Sequence, residues 1–266
     1  MTTKNISKLV AGAAIALSSL TAHATIVEFE TSLGNFKVNL HDENTPITVQ
    51  NFLSYVNDGS YDNTIIHRTV ENFVVQGGGA KFEGTLPPTW IETKGEITNE
   101  PVYSNVTATI SMAKRGGQIN SATSQWFINL KDNSTALDPV DSIGGGAYAV
   151  FGEVIEDGMS VVNAIADVPR CDTGHGGFAE VPMPNYTTEQ CADSSHVPGQ
   201  ENFVTIYSVT IVNSASNTAD SLSPVANTLY VEPTTPPPSG GDNSSSGGSM
   251  AWLSLSALLL LVRRKK

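Results

Sequence analysis

Basic residues are scarce in this chain. Lys and Arg number 14 against 26 Asp and Glu, and six of the 14 (Lys4, Lys8, Arg263, Arg264, Lys265, Lys266) sit in two end segments that hold no acid. The stretch between them keeps the remaining eight against all 26 acidic residues, a net charge of −18, with no basic cluster. Binding to phosphate backbones or anionic lipid draws on clustered Lys and Arg, so nucleic acid is excluded as a partner and the central stretch is not a membrane-surface binder. Catalytic signatures are absent too: the chain has no His-Glu-x-x-His, no Gly-x-Ser-x-Gly and no Gly-x4-Gly-Lys-Ser/Thr. Gly77-Gly78-Gly79 is not followed by Lys-Ser/Thr and reads as a turn that needs positive φ. Cysteine is limited to Cys171 and Cys191, in a polar stretch bearing Gly and Pro. Two lone cysteines in a chain that reads as exported are expected to form a disulfide. The spacings Cys171-x3-His175 and Cys191-x4-His196 keep a zinc site as the alternative, disfavoured because neither Cys belongs to a Cys-x2-Cys knuckle. No metal or cofactor is called for.

The two ends read differently from the middle. Residues 1–24 run from Lys4 and Lys8 through the apolar stretch Leu9–Leu17 to Ala22-His23-Ala24, the order of a signal peptide, so the mature chain is expected to start at Thr25 after signal peptidase acts. A folded domain is expected over 25–213. Residues 214–249, rich in Ser, Thr, Pro and Gly and containing Thr234-Thr235-Pro236-Pro237-Pro238, read as a spacer with too little apolar surface to fold. Over 250–266 the apolar segment Met250–Val262 precedes the basic end Arg263–Lys266. It falls short of the roughly 20 residues a stable span needs and is a marginal anchor with its C-terminus in the cytoplasm. Gly247-Gly248-Ser249, the apolar run and the basic end together resemble the bacterial glycine-glycine C-terminal sorting signal. That likeness implies trimming by a rhomboid-like protease. The expected location is periplasm, cell surface or medium, with at most a transient membrane anchor.

Within 25–213, eight windows read as strands: Ile26–Glu30, Asn35–Leu40, Thr64–Val70, Phe73–Gln76, Thr107–Ala113, Gln125–Leu130, Ala147–Val154 and Phe203–Val212. One helix is expected after Thr45 as cap and Pro46 in the first turn, with Val49, Phe52, Leu53 and Val56 on one face and Asp58-Gly59 as its stop. Another is expected over Gly158–Ala166, with Asp157 as cap and Val161, Val162 and Ile165 inward. Many short strands with two helices point to a mainly β fold, a closed antiparallel barrel plugged at its ends by the helices.

The informative segment is Ile66-His67-Arg68-Thr69-Val70-Glu71-Asn72-Phe73-Val74-Val75-Gln76-Gly77-Gly78. It resembles the cyclophilin signature Phe-His-Arg followed by Phe-x-x-Gln-Gly-Gly. Ser111-Met112-Ala113, Ser124-Gln125-Trp126-Phe127-Ile128, Ala136-Leu137-Asp138 and Val150-Phe151-Gly152-Glu153-Val154 follow in the order of that family's blocks. The likeness is nearest to its bacterial periplasmic branch. It implies an eight-stranded barrel capped by two helices with an outer groove, and a peptidyl-prolyl cis-trans isomerase that acts as a monomer on proline-containing polypeptides without a cofactor. It also implies roles. Arg68 is the catalytic arginine, aided by Gln76. Phe73, Phe127 and Leu137 wall the proline pocket, with Val74 at its edge and Tyr148 as a further ring. Gln125 lies beside the arginine, and Ala113 and Lys114 hold the residue before proline through their backbone. Ala136 stands where many members have Trp, which weakens the expectation of tight cyclosporin binding.

The residues themselves fit this chemistry. Rotation about an X-Pro bond faces conjugation rather than a bond to be cleaved, so a pocket for the ring and a fixed donor suffice. Taken singly, Phe73, Phe127 and Leu137 fit barrel core equally well, and Arg68 a surface ion pair. A groove that holds proline-containing segments without turnover, as a chaperone or assembly module, remains the alternative; retention of Arg68 and Gln76 favours the enzyme.

Overall fold

The computed structural model describes residues 25–140, 145–193, 195–215, 218 and 222–230. In chain order they form β1 (Ile26–Thr31), β2 (Gly34–Leu40), α1 (Pro46–Asn57), β3 (Thr64–Ile65), β4 (Arg68–Val70), β5 (Val74–Gly77), β6 (Ala80–Lys81), β7 (Thr89–Trp90), β8 (Thr109–Met112), β9 (Trp126–Asn129), α2 (Ser134–Leu137), β10 (Val150–Ile155), α3 (Gly158–Ala166), β11 (Arg170–Cys171), β12 (Val181–Pro182), α4 (Thr188–Ala192) and β13 (Thr205–Asn213). Each window expected as a strand contains strand, although Thr64–Val70 is split into β3 and β4. The additions, β6, β7, β11, β12, α2 and α4, are too short for periodicity to register.

Among the described residues, eleven strands form one curled antiparallel sheet in the order β4-β5-β9-β8-β10-β2-β1-β13-β3-β6-β7, and β11 pairs with β12 apart from it. β3 and β4 belong to one continuous segment with Ile66 and His67 between them, yet β3 pairs with β13 and β4 with β5. The Ile66 N–H donates to the Val204 carbonyl at 2.9 Å and the His67 N–H to the Gln76 carbonyl at 3.2 Å, so the bend stays bonded on both sides.

The pleat sends alternate side chains to opposite faces. Val75 of β5, Ile128 of β9 and Ile110 of β8 stand opposite one another and join the central core with Phe29, Phe36, Val38 and Leu40. α1 adds Val49, Phe52, Tyr55 and Val56, and α3 adds Val162 and Ile165. Neither expected N-cap side chain acts as one. The Thr45 hydroxyl instead donates to the His41 carbonyl, and the Glu100 carboxylate accepts the Thr48 N–H at 2.8 Å and the Thr48 hydroxyl at 2.7 Å. An acid distant in sequence thereby takes over the first turn of α1, where negative charge is favoured. At α3 it is the carbonyl of Asp157 that accepts, from Ser160.

Cys171 and Cys191 form a disulfide, with Cα atoms 5.6 Å apart, which removes both thiolates from the zinc alternative. It ties β11 to α4 over an excursion with its own apolar cluster, in which Cys171, Phe178, Val181, Met183 and Tyr186 pack on Ile65, Ala80 and Phe203.

Contacts also occur past the expected boundary at 213. Residues 222–230 pair with the segment 102–104: Ser104 donates its N–H to the Val225 carbonyl at 2.8 Å, and Asn227 donates its N–H to the Val102 carbonyl at 2.9 Å. Backbone pairing along a short edge needs no apolar side chains, so a spacer-like composition does not register it. The expected leader over 1–24, the apolar segment over 250–266 and much of the expected spacer lie outside the described residues. Among the described residues no helix is long and apolar enough to cross a membrane.

The glycine run after β5 does more than turn. Only Gly78 has positive φ among the three, +74°, and a Cβ there would lie 2.6 Å from the Trp126 ring and 2.8 Å from the Ser124 carbonyl. Gly78→Ala is therefore expected to cost at least about 1–3 kcal/mol, since strain and clash coincide and Trp126 is fully buried. Urea denaturation checks this; an unchanged midpoint would contradict it.

Candidate active site

Arg68 of β4, Gln76 of β5 and Phe127 of β9 are directly opposite one another, and Val70, Val74 and Asn129 form the next row. Opposed residues share a face, and this face is the reverse of the one carrying Val75 and Ile128. Outside the central core, Val70, Phe73, Val74, Ala113, Phe127, Leu137 and Tyr148 form a separate apolar cluster with Ala136 beside it. The apolar residues expected in the site are thus brought together, and Phe73, Phe127 and Leu137 are not members of the central core. The Tyr148 ring meets Phe127 edge-on, centroids 5.6 Å apart. Phe73 and Arg68 keep 8% and 9% exposure while Phe127 has none, so they are what an incoming group meets first.

Arg68 brings a charge to this apolar setting. Burial pushes its pKa down, and the carboxylate of Glu180 opposes that shift. Glu180 Oε2 lies 3.0 Å from Arg68 Nη2, off the N–H axis, so the contact is a charge pair more than an aligned hydrogen bond. Nη1 and Nη2 have no aligned hydrogen bond among the described residues. Gln76 Nε2 does not reach the fork but donates to Gln125 Oε1 at 3.0 Å. The two glutamines are thus fixed to each other beside the arginine. A Cβ on Gly79 would come within 2.7 Å of the Gln125 amide, so this glycine leaves room for that pair.

Ala113 donates its N–H to the Gln125 carbonyl at 2.9 Å. The Lys114 ammonium turns inward, donating to the carbonyls of Gly145, at 2.7 Å, and Gly146 and lying 4.7 Å from the Tyr148 ring centre. Burial lowers its pKa to about 8. Burial also pushes the Tyr148 phenol up to about 12, so it stays protonated.

Sequence reasoning missed two features. One is Glu180, which nothing in its surroundings marks. The other is a buried polar network behind the rings, in which Asp138 accepts from the Ser104 hydroxyl at 2.5 Å and from the Asn105 backbone and side-chain N–H groups at 2.9 Å each. Asn105 Nδ2 also donates to the Tyr148 carbonyl and Asn133 Nδ2 to the Phe73 carbonyl. Asp138 was visible as part of a sequence block, without a role.

A partly shielded cation thus lies at the edge of a ring-lined apolar cluster on the outer face of a curled antiparallel sheet. The family model of the cyclophilin type peptidyl-prolyl cis-trans isomerase/CLD matches residues 26–192, ending inside the excursion. The chain is 41% identical over 158 residues to a peptidyl-prolyl cis-trans isomerase of Acinetobacter baylyi, covering 58% of this chain and 80% of that one. It is 39% identical over 181 residues to peptidyl-prolyl cis-trans isomerase A of Dickeya dadantii, covering 64% and 90%. A crystal structure of a Cryptosporidium parvum cyclophilin type peptidyl-prolyl cis-trans isomerase aligns with TM-score 0.48 at 22% identity, over 71% of this chain and 98% of that one. The chain belongs to the cyclophilin-type peptidyl-prolyl cis-trans isomerase family, and it is an enzyme of that kind.

Burial, then the neighbouring Arg68 charge, depress the His67 pKa from 6.5 to about 3. His67 is neutral at working pH and adds no titration to catalysis, so the isomerisation rate should be flat between about pH 5 and 7, below the range in which Lys114 titrates. Because the unfolded chain takes up this proton first, stability should be lost as pH falls below 6.5 towards 3. Rates and urea midpoints across that range check both; a bell-shaped rate profile near neutrality would contradict the first.

Proposed function

We propose that the outer-face cluster seats the proline ring of an X-Pro segment and that Arg68 stabilises the twisted amide, with exported polypeptides as clients. The observation that carries this is a buried guanidinium in register with Phe127, its Nη1 without a hydrogen-bond partner among the described residues. The planar amide resists rotation by about 18–20 kcal/mol because the nitrogen lone pair is shared with the carbonyl. Twisting localises that lone pair on a pyramidal nitrogen, which then accepts a hydrogen bond the planar form accepts poorly. A donor held in place strengthens towards the transition state without reorganising, and the guanidinium fork is the stiffest donor among side chains. Phe73, Phe127, Leu137 and Tyr148 hold the ring still while the preceding carbonyl swings. Gln76 and Gln125 line the polar side.

The same reading takes the sheet as a closed eight-stranded barrel with Thr64–Val70 counted as one strand, supported by its pairing to β13 at one end and β5 at the other. Export and removal of residues 1–24 are supported by the signal-peptide order of that stretch. The Thr25 nitrogen and hydroxyl each lie 2.8 Å from the Asp42 carboxylate, a place that would suit a newly freed ammonium. The glycine-glycine sorting signal and its protease complete the reading, with periplasm, surface or medium as the address.

Arg68→Ala, shown folded by circular dichroism, is expected to slow cis-to-trans conversion of a short X-Pro peptide about a hundred- to thousandfold, as loss of a transition-state donor does. Arg68→Lys should also be poor. Wild-type turnover by Arg68→Ala would refute the role. For export, mass spectrometry of the native protein should give a first residue of Thr25 and a C-terminus near Gly247–Ser249; a chain retaining Arg263–Lys266 outside the cell would reject the trimming.

A further inference from the structure

We propose that Glu180, on the disulfide-tied excursion, is a positioning residue for Arg68; this rests on the catalytic reading of Arg68 above. Glu180 is the acid that meets the guanidinium, Oε2 to Nη2 at 3.0 Å, with 29% of its side chain exposed against 10% for Arg68. Its backbone is pinned. The Glu180 carbonyl accepts the Thr69 N–H at 2.8 Å, next to Arg68 in the chain, so the excursion docks on β4 itself. On one side of Glu180, Phe178 is buried and stacks on Trp90 with centroids 4.6 Å apart; on the other, Val181 is fully buried and pairs with Cys171 of the disulfide.

Two physical reasons give this contact a function. A buried cation without a counter-charge tends to turn towards water, and Arg68 is not held by Gln76 or Gln125, whose amides bond to each other. A carboxylate at Nη2 attracts that end of the planar fork and leaves Nη1 for the substrate. Glu180 keeps 29% of its side chain exposed, so water can reach and screen its end of the pair; loss of its charge should cost little global stability and fall mainly on orientation. Misplacing a catalytic group by about 1 Å costs up to roughly a hundredfold, and Glu180 is one of several constraints, so its loss should cost about tenfold.

The experiment uses the purified chain and a short X-Pro peptide, with kcat and KM measured for wild type, Glu180→Gln, Arg68→Ala and the double variant. Glu180→Gln keeps size and an acceptor oxygen and removes the charge. The expected result is an unchanged melting temperature, kcat about tenfold lower, KM within twofold, and no further loss when Glu180→Gln is added to Arg68→Ala. Glu180→Gln with kcat within twofold of wild type overturns the proposal. So does a rise in kcat, which would make the carboxylate a competitor for the donor, and so does a loss that adds in full to Arg68→Ala. If Arg68→Ala itself turns over at the wild-type rate, the catalytic reading falls and this one with it; if Arg68→Ala is slow and Glu180→Gln is not, only the positioning role falls.

Discussion

The frame of the site rests on the alternation of side chains across β4, β5, β9 and β8. Because the pleat has a period of two, one segment of β5 supplies Val75 to the interior and Val74 and Gln76 to the exterior, and β9 does the same with Ile128 and Phe127. The same strands therefore stabilise the fold with one face and build chemistry with the other. A one-residue slip in the pairing of β5 with β9 would move Phe127 into the core and Ile128 to the site, so register is under constraint from both sides at once. The fully buried Trp126, against which Gly77 and Gly78 leave room for no side chain, helps pin that register.

On the outer face the difficulty is electrostatic. A guanidinium beside Phe127 and Tyr148 gives up much of its hydration, and its lowered pKa reports that cost. A lysine in the same place would answer by shedding its proton, as the depressed value of nearby Lys114 illustrates. Arginine keeps its charge and its planar geometry under the same burial. That is the physical reason the proposed mechanism calls for arginine: its donor must remain charged and fixed while desolvated.

Much of this was legible in the sequence. The eight strand windows and both longer helices are visible because their apolar residues recur with period 2 or fall on one helical face, and Arg68, Phe73, Gln76, Phe127 and Leu137 are visible because they recur within ordered blocks. What was illegible shares a cause. The Glu100 carboxylate on α1, Glu180 on Arg68 and the pairing of residues 222–230 with 102–104 join parts of the chain far apart in sequence, through one side chain or a few backbone groups. Such contacts leave no periodic trace. A glutamate in a Gly-rich stretch looks the same whether it meets water or a buried cation.

The network around Asp138 extends this logic to the rings. Tyr148 and Phe73 are held by neighbouring apolar groups, but their backbone carbonyls are also bound by Asn105 and Asn133, and Asn105 is itself clamped by the Asp138 carboxylate and the Ser111 hydroxyl. Apolar packing is non-directional and tolerates small shifts, whereas a chain of satisfied hydrogen bonds fixes angles as well as distances. For the proline pocket proposed above, the second kind of support is the one that would stop the ring from turning with its amide. The segment 222–230 contributes here. Asn227 donates its N–H to Val102, and its side chain lies 3.4 Å from the Asp138 carbonyl, so a stretch that reads as spacer braces the segment carrying Ser104 and Asn105. The hydrogen-bonded frame behind the rings therefore includes contacts from residues 222–230, beyond the last strand.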